Sequence, residues 1–181
     1  MRAAELANEA EAPSSAAGEA PGEVPLDAWA RGDMRSLASV AVSLWLGAMA
    51  FFAFVVAPAA FATLEREAAG RLVTAIFVRY YLAGTVLGVL ALAGCVGSGM
   101  LRGWRGLDWL PLALVVLMLA LTLYAWAVVL PAAHAAREAG AGASPAEAGR
   151  FARLHRLSSV LNGTVMIAGV ALLVVEVIRK P

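Results

Sequence analysis

The side chains in this sequence that could do chemistry are concentrated in one stretch. Phe151 to Val170 reads FARLHRLSSVLNGTVMIAGV. At 100° per residue, His155, Ser158, Ser159, Asn162, Met166 and Gly169 fall within one arc about 100° wide. An imidazole, two hydroxyls and a carboxamide on one edge could line a polar pocket or a substrate path. The same groups can equally be interhelical glue, worth about 0.6 kcal/mol each. Ser158 lies one turn from His155, but a serine hydrolase also needs an orienting acid, and no carboxylate is near. The sequence carries no nucleophile–base–acid trio, Gly-rich phosphate loop or closely spaced metal-ligand motif, which weighs against an enzyme.

His134 and His155 are the only histidines. Both are expected near one membrane surface, at the end of the third span and the start of the fourth. Two facing imidazoles could hold a haem iron or a copper ion, with Met166 as a soft neighbour. The alternative is that His155 hydrogen-bonds between helices and His134 is an interfacial residue. Arg79 could bind an anion or a lipid head group, or simply snorkel to the interface. Glu176 is within helical reach of Arg179 and Lys180, so an exposed i,i+3 or i,i+4 pair accounts for it. Cys95 is the sole cysteine, which excludes an intrachain disulfide and a thiolate cluster within one chain.

The elements that must position these groups are membrane helices. The 181 residues are 61% hydrophobic and 15% charged, with mean hydropathy +0.78; a soluble domain has about 25% charged residues. Four uncharged runs, 36–64, 80–101, 109–133 and 157–175, each approach or exceed the roughly 20 residues that cross a bilayer core. The predicted fold is therefore an all-α membrane protein, a four-transmembrane-helix bundle from two tandem helical hairpins. Its spans are expected at about 36–63, 73–100, 109–135 and 151–177. The lipid bilayer is the expected partner. A net charge of +1 gives no basic field for nucleic acid.

Residues 1–35 form an acidic Ala/Glu/Pro/Gly-rich tail with seven acids against three Arg, expected to be disordered. It lacks the apolar run of a secretory signal, so the first span is expected to double as the insertion signal. Within it, Leu26–Arg35 with Trp29 is expected to rest at the interface. Gly84-x-x-x-Gly88 on the second span allows close helix approach and suggests a homo-oligomer face. Gly163, Pro58 and Pro131 complete the expected helix-packing positions. Trp104 and Trp109 flank the tight 102–108 turn, placed for an aromatic belt.

The chain also resembles itself. Val55-Val56-x-Pro58-Ala59-Ala60 recurs as Val128-Val129-x-Pro131-Ala132-Ala133, an offset of 73. Ala69-Gly70-Arg71 recurs as Ala148-Gly149-Arg150, and Gly84-Thr85-Val86 as Gly163-Thr164-Val165, both offset by 79. A six-residue insertion in the loop at 136–149 reconciles the two. Two hairpins of one orientation would then relate by an axis along the membrane normal. That register pairs Arg79 with Ser158 and Ala83 with Asn162. It predicts that Arg79, Tyr80, His155, Ser158, Ser159 and Asn162 face a shared polar pocket. Arg and Lys divide seven against seven between the two sides, so the positive-inside rule gives no orientation. The compact basic turn at 102–108 favours both termini in the cytoplasm, and the thirteen Arg against one Lys hint at a bacterial source.

Two blocks resemble a known family. WLGAMAFFAFVVAPAAF followed by IFVRYY is similar to the first half of the transmembrane protein 205-like domain of unknown function. Phe151, Leu154, His155, Ser158 and Asn162 match the pattern of that family's last helix. The resemblance covers roughly 37–177; Val78 stands where the family often has Pro. It implies a four-helix multi-pass membrane domain without an established activity. A more distant similarity to copper-resistance D-type membrane proteins would imply metal or haem. The leading functional reading is a structural, interaction or small-ligand-binding integral membrane protein. The alternatives are a haem- or copper-associated redox protein using His134 and His155, and a small-solute or ion transporter using Arg79, Ser158 and Asn162.

Overall fold

In the computed structural model, residues 26–104, 106, 109–140 and 145–178 are described. Among them the chain is all-helical, with four helical stretches long and apolar enough to cross a membrane: Asp33–Thr63, Arg66–Arg102, Trp109–Arg137 and Gly149–Ile178. In hydrocarbon every backbone polar group must be satisfied within the protein, and a helix does this within its own segment. The fold is that of a multi-pass membrane protein. The tail before residue 26 lies outside the described residues, but the last ten residues of the expected tail are already helical.

The helices, in chain order, are α1 (Leu26–Phe51), α2 (Ala57–Thr63), α3 (Arg66–Arg102), α4 (Trp109–Tyr124), α5 (Leu130–Gly140) and α6 (Pro145–Ile178). Two five-residue π-turns join them into continuous spans, Phe52–Val56 between α1 and α2 and Ala125–Val129 between α4 and α5. In each, a backbone N–H reaches back five residues, Ala57 to the carbonyl of Phe52 and Leu130 to that of Ala125. The next residues are Pro58 and Pro131. A proline ring collides with the carbonyl four residues earlier and brings no N–H. Widening the preceding turn relieves that conflict without breaking the span. The prolines thus set the π-turns rather than the helix packing expected of them.

A two-residue link, Leu64 and Glu65, with Leu64 extended, turns the chain from α2 into α3. At its other end α3 stops at Gly103, whose φ of +75° suits glycine. Trp104 and Trp109 then stack at 4.1 Å across this turn.

The core is built on α1 against α3. Trp45 is 3% exposed, and it lies on a flat strip of α3 made by Gly84 and Gly88. A Cβ on Gly84 would sit 2.7 Å from Trp45 Nε1, and one on Gly88 would sit 2.9 Å from Leu119 Cδ1 of α4. Farther along, Gly94 lets the α1 backbone approach, with Met34 O and Ala38 N at 2.7 and 2.8 Å from a Cβ placed there. The Gly84/Gly88 face is therefore filled within the chain, which removes it as a homo-oligomer contact. Gly163 is a second correction: nothing lies within 4 Å of a Cβ there, so it packs against no helix. Val42, Val115, Met118, Val165 and Leu172 fill the centre, while Val86, Val160, Ile167 and Val174 point outward, as lipid-facing residues do.

At the end that holds Arg102 and Glu176, Arg35 of α1 forms an ion pair with Glu176 of α6 and donates from Nη2 to the Glu176 carbonyl at 3.1 Å. Glu176 thus ties two helices together; the short-range pair expected with Arg179 or Lys180 lies outside the described residues. Toward the opposite end, beyond the π-turns, α2 packs chiefly on α3 and α5 on α6. The two hairpins separate there and leave a cavity between them.

Candidate functional site

The cavity encloses about 440 Å³ and draws residues from all four spans. Its walls are mostly apolar, with Met49, Phe52, Phe61, Phe77, Leu130 and Phe151 prominent. The first π-turn contributes Phe52 and Ala53 and the second contributes Val129. The proline-driven widenings therefore shape the wall as well as the direction of each span.

Its polar side is a network between α3 and α6. Tyr80 donates its hydroxyl to Asn162 Oδ1 at 2.9 Å. Asn162 Nδ2 donates to the Tyr81 oxygen at 3.2 Å and to the Ser158 carbonyl, one turn back, at 2.9 Å. Tyr81 and Ser158 lie 3.4 Å apart through their hydroxyl oxygens. The carboxamide thus has its oxygen and both its amide hydrogens engaged, as a polar group inside a membrane protein requires. Phe52 and Phe77 brace the tyrosines, with centroids 5.3 Å from Phe52 to Tyr80 and 5.8 Å from Phe77 to Tyr81. Ser159 lines the cavity but donates to the His155 carbonyl at 3.0 Å.

Of the residues expected around a shared pocket, Tyr80, His155, Ser158, Ser159 and Asn162 come together on this cavity. Arg79 does not. It is exposed on the outer side of α3, and its Nη1 donates back to the Ala75 carbonyl at 3.4 Å. The reason is packing: the glycine strip must face Trp45, and that rotation carries Arg79 outward. Facing inward, its guanidinium would be buried without an acid. The Arg79/Ser158/Asn162 constellation of a transporter is therefore not assembled.

Three residues in or beside the cavity are not among those expected there. Tyr81, buried behind the wall rather than lining it, is long enough for its hydroxyl to reach Asn162 of α6. Thr74 and Arg137 meet across the gap between α3 and α5, with Arg137 Nη1 donating to Thr74 Oγ1 at 3.2 Å. The available signal was the spacing of His134 and Arg137, three residues apart and so on one helix face.

His134 and His155 both line the cavity, along with Met166. Their environments differ. His134 has a buried Nε2 without a hydrogen-bond partner, whereas His155 is exposed and stacks on Phe151 at 6.1 Å. Among the described residues no group of three or more His, Cys, Asp or Glu could hold a metal ion. The two imidazoles thus differ in burial, His134 half-buried and His155 exposed, and no third His, Cys, Asp or Glu joins them among the described residues.

Fold and site together define a multi-pass helical membrane protein with an interhelical cavity, polar on one side and apolar elsewhere. The chain belongs to the family described as "Domain of unknown function (DUF4149)", whose model matches residues 40–142. It is also similar to an uncharacterized protein of Aquifex aeolicus (strain VF5), 28% identical over 144 residues. That match covers 80% of this chain and 97% of the relative. No solved structure matches. The family match ends before α6, whereas the Aquifex match is long enough to reach beyond that boundary.

Proposed function

We propose that this protein binds a small, largely apolar molecule in the cavity between its separated hairpins. The observation that carries this reading is the cavity itself. Its volume lies within the roughly 300–1,000 Å³ of small-molecule sites, and it has the apolar walls and few convergent polar groups such sites share. The prearranged Tyr80–Asn162–Tyr81 network is rigid enough to orient a ligand. The setting is a bacterial cell membrane, a reading supported by the Arg-over-Lys bias and the Aquifex relative. Cytoplasmic placement of both chain ends draws support from the short basic turn at 102–108 and the even number of spans. A common origin of the two hairpins is supported by the π-turns, which recur at the 73-residue offset of the Val-Val-x-Pro blocks. The Phe151–Asn162 pattern supports kinship with the transmembrane protein 205-like family.

Native mass spectrometry of protein released from its own membrane tests the cavity reading. A small-molecule adduct on the unaltered chain is expected, lost in Ala133→Trp, which fills the cavity, and kept in Val160→Trp on the lipid-facing side. No adduct, or equal adducts on both variants, would overturn it.

A further inference from the structure

We propose that the cavity takes a single-chain amphiphile with an anionic head, a carboxylate or a phosphate, whose charge is met by Arg137 and His134. This rests on the cavity being a ligand site and specifies the ligand's chemistry. The guanidinium of Arg137 lies over Gly70, where a Cβ would collide with it, and so reaches across from α5 to α3. There it donates to two neutral oxygens, Thr74 Oγ1 at 3.2 Å and the Glu67 carbonyl at 3.4 Å. The Glu67 carboxylate is engaged elsewhere, by Arg71 at 2.6 Å. Among the side chains that the structure describes, which exclude those of Glu138 and Glu147, no carboxylate pairs with Arg137.

A half-buried guanidinium beside apolar walls, held among the described side chains by neutral oxygens and no carboxylate, lacks there the charge that would compensate its desolvation. One helical turn earlier, His134 presents a buried Nε2 that also has no partner. In the tautomer that carries its hydrogen on that nitrogen, the imidazole is a donor. A partnerless imidazole nitrogen and a guanidinium facing no described carboxylate, three residues apart on one helix face, line the same cavity. An anion placed between them satisfies both through charge-assisted hydrogen bonds. The walls formed by Met49, Phe52, Phe61 and Met166 ask for hydrocarbon, so the anion carries a chain. A space of about 440 Å³ is small for the two chains of a bilayer phospholipid, so we assign it one chain.

The test is equilibrium binding of radiolabelled oleate, oleyl phosphate and oleyl alcohol to the full chain in nanodiscs of neutral lipid, with inorganic phosphate as competitor. Both anionic amphiphiles are expected to bind. Arg137→Gln should weaken them about tenfold, the worth of one charge-assisted hydrogen bond, and Arg137→Lys should recover part of the loss. Oleyl alcohol should change less than about twofold, and the melting temperature of the ligand-free Arg137→Gln protein reports that it remains folded. Oleate binding unchanged in Arg137→Gln, with oleyl alcohol equally tight, would overturn the anionic pairing and leave the apolar site standing. Binding of no oleyl compound would overturn both. Inorganic phosphate displacing the amphiphiles at equal concentration would overturn the need for a chain.

Discussion

Asn162 is the residue on which the cavity's polar side depends. Its carboxamide joins Tyr80 and Tyr81 of α3 to α6 and anchors itself to the Ser158 carbonyl. Interhelical hydrogen bonds in membranes average about 0.6 kcal/mol, because the separated helices also find partners. Removing Asn162 forfeits two such bonds and leaves two tyrosine hydroxyls short of a partner. Asn162→Ala should therefore destabilise the protein by about 1–2 kcal/mol. Thermal unfolding in mild detergent measures it. Arg79→Gln, by contrast, removes a charge from the outer surface and should stay within about 0.5 kcal/mol of the unaltered chain. A larger loss there would mean that Arg79 is engaged inside.

Much of this residue-level arrangement was legible from periodicity. The arc containing His155, Ser158 and Asn162 marks the helix edge that meets protein, because a lipid-facing edge tolerates no such cluster. The partner face on α3 was not legible the same way. Register with the second hairpin points to Arg79, but residue volume decides otherwise. Trp45 needs a flat bed, and Gly84 and Gly88 supply it. A side-chain pattern within one helix cannot reveal which neighbouring helix carries the matching bulk. Arg137 was hidden for a related reason: in sequence it is one more arginine near a loop, and only the placement of α5 across the gap from α3 brings its long side chain to Thr74.

At the scale of the elements, a glycine strip and two π-turns divide the labour. The strip draws α1 and α3 together near the middle of their spans, and the π-turns part the hairpins beyond it. Gly84→Ala would place its Cβ 2.7 Å from Trp45 Nε1. Overpacking of this kind costs about 1–3 kcal/mol, since the indole can shift only by disturbing Gly88 and Leu119. Gly47→Ala meets nothing within 4 Å and gains helix propensity, so it should be neutral or stabilising by up to about 1 kcal/mol. Unfolding midpoints of the pair, compared in one detergent, distinguish packing inside the chain from contact between copies. A Gly84→Ala protein of unchanged stability that lost an oligomer would contradict the intramolecular assignment. The four spans themselves were legible from hydropathy alone. The π-turns were not, because a proline near the end of an apolar run also fits a simple helix terminus.

The whole molecule has a cavity toward each end. The Arg35–Glu176 pair, the Trp104–Trp109 stack and the Gly94 crossing tie the helices together near residues 35, 102 and 176, around a second space of about 430 Å³ lined by Arg35, Cys95, Arg102, Trp104 and Glu176. At the other end the hairpins diverge, and the partnerless Nε2 of His134 and the guanidinium of Arg137 belong to the cavity formed there. Space is left where packing of the chain against itself is incomplete. Ligand binding by a protein of this shape depends on the occupant lying between the helices rather than on their outer surface.

That distinction is measured most directly by photolabelling. A photoactivatable long-chain fatty acid is added to membranes containing the full chain, and the labelled residues are read by peptide mass spectrometry. A ligand held in the cavity labels Phe61, Ala133 and Phe151, and excess unlabelled oleate removes that label. Label confined to Val86, Val160 and Val174, and insensitive to excess oleate, would show only bilayer contact and would contradict a binding site between the hairpins.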